Sequence, residues 1–133
     1  MFIALLSAPT SKLIMNTLYG LNNCDTCKKA RNWLQRFDVE FQFIDYREHR
    51  IEASTLKQWS AQMGGWDALL NKASTTWRQL PETRKKPGSD PEWQLLLKEY
   101  PALIKRPVLV TSDQVVSVGF TDNSYKLRFS IKK

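Results

Sequence analysis

The sequence is poor in the residues that form disulfide scaffolds and metal sites. It contains two cysteines and one histidine in 133 residues. Two thiols are too few for the disulfide framework of a small secreted domain, and together with His49 they offer only three good zinc ligands. We therefore expect neither a disulfide-rich domain nor a structural zinc site, and we assign no metal.

Long apolar runs and biased tracts are also lacking. No apolar stretch approaches the roughly 18 residues that a membrane-spanning helix needs. The six prolines and five glycines are scattered, with no repeat or low-complexity segment. These absences exclude a membrane-spanning or repeat protein, and they favour one globular domain with no membrane partner.

The first residues, MFIALLSAP, do not match a secretory signal peptide. No basic residue precedes the apolar run, and no A-x-A cleavage site follows it. Met15 stands directly before NTLYG, so we interpret residues 1–14 as an extension from an upstream start codon, or a disordered segment, outside the fold. Residues 15–133 are then predicted to form a single domain, located in the cytoplasm.

Positive charge exceeds negative charge along the chain. Lys and Arg number 20 against 13 Asp and Glu, which gives a net charge of +7. Such a surface attracts anions, and these can be small substrates, acidic proteins or nucleic acid. Charge alone does not decide among these three classes of ligand.

The hydrophobic pattern predicts a βαβ unit at the start of the fold. A short strand runs from Leu13 to Tyr19, an amphipathic helix covers Lys28 to Phe37, and alternation resumes at Val39 in VEFQF. Both cysteines lie at the first turn of this unit.

Helices and a hairpin are predicted for the rest of the chain. Ser54 and Asp90 are predicted N-caps of two helices in the middle. RPVLVTSDQVVSVGF predicts an antiparallel hairpin with strands Val108–Thr111 and Val115–Val118, and TDNSYKLRF predicts a final helix. The order βαβ…ββα is that of a thioredoxin-like α/β fold, with a four-stranded mixed sheet and a helical insertion.

The cysteine turn, YGLNNCDTCKKARNWL, carries the strongest functional signal. A thiol at a helix N-terminus is stabilised as thiolate by unpaired N–H groups and the helix dipole. Cys24 is predicted to occupy that position, while Cys27 lies in the first turn, within reach of a disulfide. Basic residues strengthen the effect and Asp25 opposes it; the basic residues are Lys28, Lys29 and Arg31. The pattern predicts thiol redox chemistry with Cys24 as nucleophile.

The two cysteines have other interpretations. Both could be buried small hydrophobic residues, and this alternative stays open. A phosphatase loop, Cys-x5-Arg, would need an arginine where Ala30 stands, and Arg31 comes one position too late. A catalytic Cys-His pair would need His49, which we interpret as an exposed loop residue.

The stretch IKRPVLV is the second informative motif. A proline directly before a buried strand is explained by strand initiation or by a cis bond. Beside a thiol turn, a cis Arg106-Pro107 bond would present backbone groups to an extended thiol peptide, and the Arg106 guanidinium could bind an oxyanion. We favour this second use.

These residues resemble the ArsC-related family, which includes arsenate reductases, the regulator Spx and a YffB-like branch. CDTCKKA, NKASTTWRQL and LIKRPVLV resemble the YffB-like branch most. The resemblance implies a catalytic set of Cys24, Cys27 and Arg106. For substrate binding we add four neighbours of this set, namely Asn23, Thr26, Lys28 and Pro107.

The sequence departs from the arsenate reductases at two positions where these carry an arginine. Asn71 stands at one, and VGFTDNS replaces the other. We therefore expect a glutathione-dependent thiol oxidoreductase that reduces arsenate poorly. It would hold no tight cofactor, use glutathione as co-substrate, take a protein thiol or glutaredoxin as partner, bind no nucleic acid directly, and act as a monomer. The alternative is an Spx-like redox-sensing regulator that binds RNA polymerase.

Overall fold

The computed structural model describes residues 15–131. Within them the chain forms two compact units, one of residues 15–45 with 106–131 and one of residues 46–105. The first unit contains both cysteines, and the second is the predicted helical insertion between the second and third strands. Our interpretation of residues 1–14 falls outside the described residues and stays a prediction.

The first unit is built on one mixed sheet. Its strands are β1 (Asn16–Gly20), β2 (Phe41–Asp45), β3 (Val108–Val110) and β4 (Val116–Val118). Their order is β2-β1-β3-β4, with β1 parallel to β2 and the other two pairs antiparallel. This confirms the predicted α/β fold with its four-stranded mixed sheet and its hairpin of β3 and β4.

The helices, in chain order, are α1 (Asp25–Arg36), α2 (Ala53–Met63), α3 (Thr75–Gln79), α4 (Asp90–Glu99) and α5 (Asp122–Arg128). Helices α1 and α5 belong to the first unit, and the other three to the second. Short 3-10 helices at Trp66–Leu69, Glu82–Lys85 and Pro101–Leu103 connect the helices of the second unit.

Helix α1 packs on the sheet through one apolar face. Its buried residues recur at helical spacing and are Cys27, Ala30, Trp33 and Leu34. The last three join Leu18 of β1, Leu109 of β3 and Tyr125 of α5 in one buried cluster. Each fully buried leucine side chain contributes roughly 1.5–3 kcal/mol. The same burial that stabilises the first unit therefore holds the start of α1 against β1.

The second unit has its own core of leucine and tryptophan side chains. Leu56 and Trp59 of α2 and Leu96 and Leu97 of α4 are all buried. Trp66 stacks on Trp93 with ring centroids 6.1 Å apart, so the apolar helix faces of the insertion pack against one another.

Two predicted caps are wrong. Helix α2 begins at Ala53 after Glu52, so Ser54 lies in its first turn and is not the N-cap. Helix α4 is capped by Ser89, whose Oγ accepts the N–H of Glu92 at 3.4 Å. Asp90 is instead engaged by other groups, because its carboxylate accepts the Trp66 indole N–H at 2.8 Å.

Other boundaries also differ from the prediction. Strand β1 begins at Asn16, while the predicted start at Leu13 lies outside the described residues. Strand β4 begins one residue late, at Val116. Helix α3 is not predicted at all; it is short, and Ser74 caps it by accepting the Trp77 N–H at 3.1 Å.

Candidate active site

Cys24 lies at the end of the short loop that connects β1 to α1. It is the N-cap of α1, with φ −98° and ψ 125°, and its carbonyl accepts the first helical hydrogen bond, from Lys28 at 3.0 Å. The unpaired N–H groups of the first turn therefore face the position where a Cys24 thiolate would form.

The surroundings of Cys24 stabilise its charged form. Burial alone would raise the pKa of this thiol, but hydrogen bonds outweigh it. The Cys27 N–H, the Arg106 guanidinium, the Cys27 thiol and the Thr26 N–H together hold the pKa of Cys24 below its usual value. Cys24 is also partly exposed. Its thiolate, the more nucleophilic form of a cysteine, is therefore favoured at a position that solvent can reach.

Cys27 has the opposite character. It is completely buried and carries a free thiol. Burial raises the pKa of Cys27 to about 11, the negative charge of Cys24 adds to the rise, and the backbone of Leu21 and the charge of Arg106 oppose it. At neutral pH Cys27 is thus protonated and can donate its S–H to Cys24.

Gly20 provides the space that Cys27 occupies. A Cβ atom at Gly20 would lie 2.4 Å from Cys27 Sγ and 3.4 Å from Phe43 Cε1. Our sequence interpretation did not identify this residue. The available signal was an isolated glycine in a buried strand, which often marks a close approach.

Tyr125 is a second residue that the sequence did not reveal. Its hydroxyl is buried, and among the described residues it has no hydrogen-bond partner. Burial raises the pKa of Tyr125, against the opposing charge of Arg128, and Cys27 adds to the rise.

The loop that presents Cys24 is held at Asn22. Its N–H donates to the buried Asp45 carboxylate at 2.9 Å, and its carbonyl accepts from Arg31 at 3.4 Å. The Arg31 guanidinium also lies 4.4 Å from the centre of the Phe43 ring. Arg31, predicted to add positive potential, thus also serves to brace the turn.

The structure brings the three predicted catalytic residues together. Arg106 reaches Cys24 from the segment before β3, although 82 residues separate them in the sequence. The Arg106-Pro107 peptide bond is cis, as the sequence interpretation favoured. The buried Pro107 accepts the N–H of Gly119 at 2.8 Å, so its carbonyl is fixed to the end of β4.

The remaining predicted binding residues surround Cys24 on the surface. Asn23 lies in the loop before it, and Thr26 and Lys28 lie in the first turn of α1; all three side chains are exposed. His49 is also exposed in a turn, in keeping with a loop residue. Asn71 uses its side-chain oxygen within its own turn, where it accepts from the Ala73 N–H at 3.2 Å.

Two negative findings hold for residues 15–131. They contain no cluster of three or more His, Cys, Asp or Glu side chains arranged to hold a metal ion. None of their helices has the length and apolar character that crossing a membrane requires.

Sequence comparison identifies relatives over nearly the whole chain. The model of the ArsC family matches residues 19–127. An uncharacterized protein of Haemophilus influenzae is 40% identical over 116 residues, which cover 87% of this chain and 100% of that protein. The global transcriptional regulator Spx of Bacillus subtilis is 26% identical over 121 residues, 90% of this chain and 89% of Spx.

Two solved structures are also similar to this chain over most of its length. The YffB protein superimposes with a TM-score of 0.76 and 38% identity, over 85% of this chain and 97% of its own. An arsenate reductase (ArsC) related protein of Brucella melitensis has a TM-score of 0.68 and 37% identity, over 88% of this chain and 96% of its own.

Proposed function

The chain belongs to the ArsC family, and from this membership and the cysteine turn we propose that it is a glutathione-dependent thiol oxidoreductase with Cys24 as nucleophile. The family supports thiol oxidoreductase chemistry in general terms. The observation that carries the proposal is the lowered pKa of Cys24 at the N-terminus of α1, beside Arg106. The reducing cytoplasm, where glutathione is abundant, is the proposed location.

The first step is thiol–disulfide exchange. The Cys24 thiolate attacks the glutathione sulfur of a mixed disulfide, R–S–S–G. A Cys24–glutathione disulfide forms, and the R–S⁻ thiolate leaves and takes a proton from solvent. Arg106, whose guanidinium donates to the Cys24 sulfur, keeps Cys24 ionised until it reacts.

A second glutathione is proposed to complete the cycle. Its thiolate attacks the glutathione sulfur of the adduct, which releases oxidised glutathione and regenerates the Cys24 thiolate. Attack by the Cys27 thiolate on the Cys24 sulfur of the adduct would instead give a Cys24–Cys27 disulfide and release glutathione as its thiolate, but Cys27 must first lose its proton. Once Cys24 is in a disulfide its charge no longer opposes this loss; burial, the largest cause of the raised pKa of Cys27, remains.

Glutathione binding is assigned to groups around Cys24. Lys28 is exposed one turn after Cys24 and would pair with a glutathione carboxylate. The backbone before β3, at Arg106 and Pro107, would hydrogen-bond the extended peptide. Asn23 and Thr26 would line the remaining sides.

Intact-mass analysis tests the proposal. Reduced wild-type protein, Cys24→Ser and Cys27→Ser are each incubated with oxidised glutathione. Cys27→Ser should accumulate a stable glutathione adduct, Cys24→Ser should stay largely unmodified, and the wild type should form the adduct before any internal disulfide. Absence of glutathione uptake by all three proteins would refute the proposal.

Arsenate reduction is proposed to be slow. In the first unit Arg106 is the cation that reaches Cys24, and a charge-assisted hydrogen bond lost from an oxyanion site costs roughly 1.5–3 kcal/mol. Turnover of arsenate with glutathione and glutaredoxin should therefore be weak. Robust turnover would show that one guanidinium suffices.

A regulator of the Spx type is the second candidate. The observation that favours it is the similarity to Spx along 90% of this chain. On this alternative the Cys24–Cys27 pair would sense oxidation and control binding to RNA polymerase. Polymerase binding that changes with the redox state, in a protein that turns over no mixed disulfide, would favour the regulator over the enzyme.

A further inference from the structure

A basic groove lies between α1 and α5 in the first unit. Its volume is about 390 Å³, and Trp33 and Phe120 supply its apolar surface. Three cationic side chains, Lys29, Arg36 and Lys126, line it together with one carboxylate, that of Asp122. Cations therefore outnumber carboxylates by three to one in this groove.

Two of these cations form no direct ion pair, although the charge of Arg36 also acts on Asp122 and its guanidinium lies 5.3 Å from the centre of the Phe37 ring. Lys126 pairs with Asp122 at 2.9 Å, but none of the five ion pairs formed among residues 15–131 involves Lys29 or Arg36. Both side chains are exposed, and they lie two turns apart on one face of α1. They are available to an anionic ligand of extended shape.

The groove runs along the same helix that begins at Cys24. With a rise of about 1.5 Å per residue, Lys29 lies roughly 8 Å and Arg36 roughly 18 Å along the helix axis from Cys24. Measured along the axis alone, the two cations are thus roughly 10 Å apart, a distance that several peptide residues can span, and the nearer one lies within two turns of Cys24.

Carboxylates on a protein segment fit this groove better than a nucleic-acid backbone does. Asp122, which lines the groove, is held by the Trp33 indole N–H at 2.7 Å and by Lys126. Those two contacts hold the pKa of its carboxyl below the usual range, Lys126 most, so it stays charged. A fixed negative charge there opposes a continuous row of phosphates, whereas a peptide can place its carboxylates at the cations and its apolar side chains near Trp33 and Phe120.

We propose that the groove between α1 and α5 docks an acidic segment of the protein whose mixed disulfide Cys24 reduces. The docking is independent of the chemistry, while the identity of the docked protein as substrate rests on the proposed function. The exchange at Cys24 is the same as with a small disulfide, so docking changes the affinity for the substrate and adds no chemical step.

Indole resonances provide the binding test. The probe is a short, acetylated and amidated peptide rich in glutamate, and its glutamine counterpart is the uncharged control. The Trp33 indole N–H donates to Asp122, and the Trp66 indole N–H donates to Asp90 at 2.8 Å in the second unit, so Trp66 is an internal control of the same kind. The acidic peptide should move the Trp33 signal in a two-dimensional ¹H–¹⁵N spectrum and leave the Trp66 signal in place.

Charge variants locate the contact. Lys29→Gln combined with Arg36→Gln should weaken binding by about threefold to tenfold, as expected for two exposed charge contacts, with the larger effect at low salt. Lys86→Gln combined with Lys98→Gln removes the same charge from two exposed sites in the second unit and should bind like the wild type. Equal weakening by both pairs would mean that net charge acts and the groove does not.

Reduction assays separate the inference from the function. The same peptides, each carrying one cysteine as its glutathione mixed disulfide, are offered as substrates. The acidic one should have the lower KM, and Arg36→Gln, which leaves the cations near Cys24 in place, should lose part of that advantage while reducing a small glutathione disulfide normally. If Trp33 responds but no disulfide is reduced, the docking holds and the proposed function fails. If disulfides are reduced with no preference for the acidic peptide, the docking is refuted. It is also refuted if an oligonucleotide shifts the Trp33 indole signal with higher affinity than the acidic peptide does.

Discussion

Replacement of Gly20 by alanine tests how closely β1 and Cys27 are packed. An added Cβ would lie 2.4 Å from Cys27 Sγ, whereas real Cβ atoms almost never approach a heavy atom closer than 3.0 Å. Cys27 is fully buried, so its sulfur cannot move into solvent, and the Cys27 side chain must rotate inside the core or β1 and α1 must move apart. Overpacking of this kind costs typically 1–3 kcal/mol. The gain from removing a glycine inside a strand, roughly 0.5–1 kcal/mol, offsets part of that cost.

A double-mutant cycle isolates the contact. In the Cys27→Ala background the sulfur is gone, and the nearest remaining atoms are the Cβ of residue 27 and Phe43 Cε1, both at 3.4 Å. Gly20→Ala should therefore lower the free energy of unfolding by about 1–2 kcal/mol in the wild type and by much less in Cys27→Ala. Urea denaturation followed by circular dichroism measures both differences.

Gly88→Ala is the matched control. A Cβ at Gly88 would have only an ordinary contact, with Glu92 Oε1 at 3.5 Å. Its effect on stability should be small in both backgrounds. If Gly20→Ala lowers the free energy of unfolding equally with and without the Cys27 sulfur, the close contact between position 20 and Cys27 Sγ is wrong.

Further predictions concern the thiols and the last helix. Arg106→Gln should move the midpoint of Cys24 alkylation by iodoacetamide to higher pH, because a hydrogen bond that lowers the pKa is lost; an unchanged midpoint would contradict this. In the folded wild type Cys27 should resist alkylation until the pH nears about 11, and in urea it should react like an ordinary thiol; peptide mapping distinguishes the two sites. Tyr125→Phe should leave the free energy of unfolding unchanged or raise it, since the hydroxyl is buried without a partner; a loss above about 1 kcal/mol would show a missing hydrogen bond. Thr121→Ala should cost roughly 0.5–2 kcal/mol in the same urea assay, because Thr121 and Ser124 form a capping box at the start of α5; a smaller loss would mean that solvent replaces the cap.

Local patterns were enough to predict much of the first unit. The alternation after Val39, the helical spacing that buries Trp33 and Leu34, and the turn between β3 and β4 each depend on a few neighbouring residues. The position of Cys24 at the start of a helix and of Cys27 within its first turn follows from the same short stretch. Helix caps are less determined, because several polar residues compete for them. The Asp90 carboxylate accepts a hydrogen bond from the Trp66 indole, and Ser89 is the N-cap of α4.

The amino-acid sequence by itself determined the order of the four strands and of the longer helices, and the thiol pair at the start of α1, since these arise from interactions between close neighbours in the chain; the short helix α3 was not predicted. Only the tertiary structure decided which distant residues meet that pair. Arg106 reaches Cys24 because β3 pairs with β1, and Trp33 meets Asp122 across 89 residues because α5 packs beside α1. No local pattern contains such contacts, because they form only when the buried faces of separate elements are brought together. For the same reason the space at Gly20 and the basic groove became visible only in the folded chain.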